Sequence, residues 1–153
     1  MDRLKRQLVN RLEQSGIRIL EINLYDLTIE ILKKEGDFEW IRDNEQRLSK
    51  IKLLEELQGI LDVENVVIPI IAAKIERNEF DVLFLSGVGE VFPYIRSHNV
   101  LNNLQSTANE KPTVMFFPGA YTHSIESGAS LDLFGKLRDD KYYRAFNIFH
   151  CEA

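Results

Sequence analysis

The spacing of apolar residues changes several times along the chain, and each change marks an element. Residues 2 to 15 carry Leu4, Leu8 and Leu12 at helical spacing, and Gly16 suits the position just past a helix end. "IRILEI" (17–22) is short, rich in isoleucine and nearly continuously apolar, the pattern of a buried strand. A second helix follows, with Leu24, Leu27, Thr28 and Ile31 on one side and a stop at Gly36. "DFEWIRDNEQR" (37–47) reads as a connector or a short helix. Leu48, Ile51, Leu54, Leu57 and Leu61 make another helical stripe, and Val63, Val66, Val67, Ile70, Ile71 and Ile75 a cleaner one. Pro69 either begins or kinks that last helix.

"FDVLFL" (80–85) and "TVMFF" (113–117) are the strongest core strands, and "NIF" (147–149) reads as a final short one. Strands alternating with helices predict an α/β fold. The expected architecture is a mostly parallel sheet of about four strands with helices on both faces, three layers in all. Polar "PGAYTHSIESGAS" (118–130) is expected to be a loop leaving the end of a core strand. Ligands gather where strands end in such sheets, so residues 86–90 and 118–130 are the default site region.

Length and charge narrow the classes. A chain of 153 residues is a single domain, 1–153, by default. The net charge of −5 disfavours direct contact with nucleic acid, which normally leaves a basic footprint. The single cysteine, Cys151, makes no intramolecular disulfide and fits a reducing, cytoplasmic setting. The first residues carry charges among their apolar positions, unlike a signal peptide, and no apolar run approaches the ~20 residues of a membrane span.

The stretch "FLSGVGEVFPYIRSHNVLNNLQ" (84–105) holds most of the candidate chemistry. Its glycines follow a strand, where phosphate loops occur. A Walker loop needs Lys after its last glycine, and Gly89 is followed by Glu90. The dinucleotide fingerprint needs a third glycine where Phe92 stands. A glycine-permitted turn with Pro93 at a helix start fits better. Downstream, Arg96, Ser97, His98, Asn99, Asn102 and Asn103 lie within eight positions. Taken as one helix, the segment places His98 on the apolar side; alternatively Ser97 caps a second short helix. Gly87, Gly89, Arg96, Ser97, His98, Asn102 and Asn103 are therefore the candidate ligand-holding or structural polar cluster.

The histidines His98, His123 and His150 have no zinc spacing, no nucleophile elbow occurs, and neither a metal nor a cofactor is implied. In "LFGKLRDDKYYRAF" (133–146), cations alternate with tyrosines. That composition suits a protein interface better than stacked bases, because Asp139 and Asp140 cancel part of the charge. The candidate partner-binding residues are Arg138, Asp139, Asp140, Tyr142, Tyr143 and Arg144.

The runs "DVLFLSGVGEVFPYIRSHNVLNNLQ" (81–105), "PTVMFFPG" (112–119) and "LDLFGKLRDDKYYRAF" (131–146) together resemble the BrxB family. This family is a small component of the bacteriophage-exclusion (BREX) defence systems of bacteria. The resemblance covers most of residues 17–149, with "INLYDL" (22–27) and "LQGILD" (57–62) also in family style. It implies partners within such a system: a DNA adenine methyltransferase, an AAA-type ATPase and the phosphatase-like protein PglZ. It implies no established enzymatic activity, and so a non-enzymatic adaptor. The alternative is a degenerate phosphate-loop nucleotide-binding protein or enzyme using residues 86–98. Family members usually carry a further upstream stretch with an additional strand, so a chain starting at Met1 is expected to leave one sheet edge unpaired.

Overall fold

The computed structural model describes residues 2–108, 110–124, 128–133 and 147–150. They fall into two compact units, residues 1–116 and 117–153.

The first unit opens with α1 (Asp2–Gln14), which Gly16 closes at φ +80°. Strand β1 (Ile19–Asn23) runs directly into α2 (Leu24–Glu35), and Gly36, at φ +83°, ends that helix as its sequence position predicts. Helices α3 (Asp37–Asn44) and α4 (Lys50–Ile60) follow. The valine and isoleucine stripe divides in two: a π-helical turn over Val63–Val67 passes into α5 (Ile68–Arg77), which carries Pro69 in its first turn. A proline there lacks only an N–H that the helix start leaves unpaired anyway. Then come β2 (Val82–Ser86), α6 (Ser97–Leu104) and β3 (Thr113–Met115).

The three strands form one parallel sheet in the order β1-β2-β3, with Ile22 opposite Leu85 and Asn23 opposite Ser86. Both crossovers move across the sheet in the same direction, so right-handed connections put their helices on one face. On that face α2 packs on β1 and β2, α5 meets α6, and α6 meets the π-helical turn. Leu83 and Leu85, which alternation points the same way as Ile22, are wholly buried. Each contributes about 1.5–3 kcal/mol by leaving water. The opposite face carries Glu21, Phe84 and Ser86, and α1 lies over it, since Lys5 reaches both Glu21 and Ser86. The fold is α/β in three layers, as expected.

At the other end of the sheet, Arg18 fixes the register of β1 against β2. Its guanidinium grips the Asp81 carboxylate with two bonds, 3.0 and 3.1 Å, and its backbone N–H donates to the same carboxylate at 2.8 Å. The Asp81 N–H returns a bond to the Arg18 carbonyl at 2.8 Å. The Arg18 side-chain bonds, followed by that backbone bond, hold the Asp81 carboxyl down at about 2.

Helix α1 turns an unusual face to the sheet, and two local expectations are corrected. An apolar stripe ordinarily faces the core, yet Leu4 and Leu8 of α1 are exposed. The inward positions are Lys5, whose side chain is 13% exposed, and the half-buried Val9 and Leu12. Within the second unit, the expected loop over 118–130 contains a strand, β4 (Gly119–Ser124). It pairs antiparallel with β5 (Gly128–Leu133), so Gly, Ser and Thr here belong to a hairpin. Residues Ile148–His150, expected to be a strand, form a 3₁₀ turn.

Candidate functional site

The glycine bend leaves the end of β2 beside the end of β1. There, Asn23 has an extended backbone, and its side-chain oxygen accepts from the N–H groups of Tyr25 (2.9 Å) and Asp26 (3.4 Å). This is an N-cap: a short carboxamide satisfies two donors that the start of α2 leaves open. Those donors are also the ones an anion would take at a strand–helix junction. Gly87 lies directly against the cap, with φ +76°. A Cβ on Gly87 would overlap the Asn23 oxygen and stand 2.9 Å from the Tyr25 nitrogen. Glycine is therefore required here twice over, by backbone conformation and by lack of space.

The chain next turns through residues 87–90, where the Glu90 N–H donates to the Gly87 carbonyl at 3.1 Å. Gly89 sits half-buried within this turn. Val88, Val91 and Ile95 are buried and fasten the segment to the core. Pro93 does not begin a helix as its position predicts. The Phe92–Pro93 peptide is cis within a second turn, and the Gln58 side chain donates to the Pro93 carbonyl at 3.2 Å. Ser97 is not a cap either. It is the first residue of α6, and the backbone carbonyl of Arg96 accepts from Asn99 (3.1 Å) and Val100 (3.3 Å).

Helix α6 distributes the polar candidates instead of gathering them. His98 is buried at 8% exposure, on the apolar side beside Val100 and Leu104, and it is partnered. Arg96 and Asn102 are exposed, and Ser97 and Asn103 half-buried. Asn103 donates to the Asn99 carbonyl one turn back at 2.8 Å, and its own carbonyl accepts from the Ser106 hydroxyl at 2.9 Å. These bonds are local to the helix and its end. Among the described residues no group of three His, Cys, Asp or Glu side chains is placed to hold a metal ion. The candidate partner residues Arg138, Asp139, Asp140, Tyr142, Tyr143 and Arg144 lie outside the described residues.

Two features escape a reading of the sequence. Asn23 carried a usable signal, since Asn before an apolar helical run is a helix start. The second is a cluster of Lys5, Glu21 and Ser86, joined from three elements. Lys5 is ion-paired with Glu21 and donates to the Ser86 hydroxyl at 3.3 Å, and that hydroxyl donates to Glu21 at 3.4 Å. Ser86 is 6% exposed, so these partners satisfy a buried hydroxyl at the end of β2. No local pattern announces a contact spanning 81 residues.

The fold and this bend define a small α/β domain whose strand–glycine junction is closed by its own side chain. The sequence profile described as "BREX protein BrxB" matches residues 20–148, and the chain belongs to the BrxB family. It is 39% identical over 137 residues to "BREX protein BrxB" of Bacillus cereus (strain H3081.97), covering 88% of this chain and 68% of that protein. It is 29% identical over 127 residues to "BREX protein BrxB" of Escherichia coli O9:H4 (strain HS), covering 83% of this chain and 60% of that relative. No solved structure matches it. Membership in the family carries a role in phage defence. Among the described residues no helix is long and apolar enough to cross a membrane.

Proposed function

We propose that the chain is a non-enzymatic adaptor of a BREX-type defence system, acting in the cytoplasm by binding other components of that system. The observation that supports this reading best is the filled junction. At the start of α2 the donors that would hold a phosphate are bonded to Asn23, and Gly87 packs against that carboxamide with no room for a methyl group. The polar residues of α6 spread around the helix, and His98 lies in the apolar layer. A scaffold needs this arrangement; a nucleotide site would need the donors open.

The partners in this reading are PglZ, the DNA adenine methyltransferase and the AAA-type ATPase, contacted through Arg138 to Arg144. Tyrosine and arginine are the residue types that anchor interfaces. Co-purification of the full chain with each component tests the surface. An Arg138→Ala/Tyr143→Ala variant is expected to lose its partner and its protection against phage. Retention of both would refute that surface.

A further inference from the structure

Helix α1 is rotated on the sheet so that Leu12 and Val9 face inward while the other end of the leucine stripe, Leu4 and Leu8, stays outside the covered face. Hydrophobicity alone would turn Leu4 and Leu8 inward, yet they are 61% and 37% exposed, and a lysine takes the inner position. The Lys5 contacts with Glu21 and Ser86 fix this rotation. At 100° per residue, the exposed residues Arg3, Leu4, Gln7, Leu8 and Arg11 then share an outward arc of about 140°. The arc contains two leucines and two arginines and no carboxylate. Among the described residues neither arginine makes an ion pair. Helix α1 as a whole has four cations against two carboxylates, in a chain whose total charge is −5.

We infer that the outer face of α1 is a docking helix for an acidic partner protein that offers an apolar groove. Leu4 and Leu8 fill the groove, one turn apart, and Arg3 and Arg11 meet carboxylates at its rim. Helix-in-groove recognition reads anchors at this i, i+4, i+7 spacing. The charge selects the sign of the partner, and the leucines select its class. A phosphate backbone would take the arginines but give the leucines nothing to bury against. A helix lying in a membrane surface needs a broad apolar face, and Val9 and Leu12 are turned toward the sheet. The inference deepens the adaptor reading, on which it rests, by naming a second surface and the chemistry of what it binds.

The test uses the full chain and titrates it with each protein encoded beside its gene, purified singly. Vesicles of phosphatidylglycerol and phosphatidylcholine, a duplex DNA of arbitrary sequence and the chain itself serve as competing occupants. Binding to an acidic neighbour is expected to weaken at least about a hundredfold in Leu4→Glu/Leu8→Glu, from the burial lost at two leucines. Arg3→Glu/Arg11→Glu is expected to weaken it and flatten its salt dependence. Leu4→Ser/Leu8→Ser serves if the glutamates unfold α1, with circular dichroism reporting the fold. The inference is overturned if no neighbour binds the unaltered chain, or if the leucine variants bind at full strength. It is also overturned if the leucines matter only for vesicles, DNA or self-association. The Arg138→Ala/Tyr143→Ala variant leaves α1 intact, so loss of binding there with normal α1 behaviour separates the two surfaces.

Discussion

Replacing Gly87 by alanine probes the junction on which the scaffold reading rests. Two costs arise, and they can be separated. A residue with a Cβ at φ +76° incurs about 1–2 kcal/mol from the left-handed backbone. The new methyl also overlaps the Asn23 oxygen and displaces it from the Tyr25 and Asp26 N–H groups. Losing an N-cap side chain costs a further ~1 kcal/mol, so Gly87→Ala is expected to destabilise by about 2–3 kcal/mol in total. Asn23→Gly removes the obstructing carboxamide at a cost of only a few tenths of a kcal/mol, because glycine is a tolerated cap. In that background Gly87→Ala keeps the backbone term and the close approach to the Tyr25 nitrogen but no longer displaces a cap, so the two changes together cost about 1 kcal/mol less than the sum of the singles. Urea unfolding of the four proteins, read as shifts in midpoint at constant slope, measures this coupling. Additive costs, or a Gly87→Ala penalty well under 1 kcal/mol, would show that the bend does not rest on the cap.

Asp81 titrates at about 2 when folded, below its ordinary 3.8. In that window the unfolded chain binds more protons, so its contribution is complete above about 3.8 and disappears as pH falls through 2. Asp81→Asn should therefore flatten the fall in stability between pH 4 and 2 in urea melts; an unchanged acid limb would count against the pairing with Arg18. Lys5→Ala is expected to cost about 1 kcal/mol, because it strips hydrogen bonding from a buried hydroxyl. Lys5→Met, which keeps the packed stem, should cost less, and thermal melts of the two proteins giving the reverse order would refute the inward placement of Lys5. Ile71→Ala, at a wholly buried position, should destabilise by 2–5 kcal/mol in the same urea assay. Thermal shift with ATP, GTP and dinucleotides should show no stabilisation, whereas a bound nucleotide at its Kd would add about 0.4 kcal/mol.

The parts of the fold legible in the sequence are those set by local pattern. Ile19 to Ile22, Val82 to Leu85 and Thr113 to Met115 stand out because strands buried in a parallel sheet are short apolar runs. Gly16 and Gly36 mark helix ends because the left-handed position after a helix favours glycine. The rotation of α1 is not local: Lys5 meets Glu21 and Ser86, which keeps Leu12 inward and leaves Leu4 and Leu8 outside the covered face. The hairpin of β4 and β5 was masked by its Gly and Ser content, although Ala129, Leu131 and Leu133 alternate with Ser130 and Asp132 at the period of a strand. At the bend, the failure of both phosphate fingerprints was visible, but what fills the junction was not. That answer lies in Asn23, some sixty residues earlier in the chain, where only the geometry of the sheet brings it under Gly87.

The distance along the chain between β1 and β2 has a consequence for synthesis. Arg18 and Asp81, which lock these strands together, are separated by 63 residues. A ribosome adding roughly 5–20 residues per second takes about 3–13 s to bridge that interval. During that time β1 leaves the exit tunnel with Leu20 and Ile22 without their β2 partners, and the elements between the two strands are all helical. β1 thus stays without this native partner until β2 emerges, and codon-dependent pausing within residues 24–80 would lengthen that exposure.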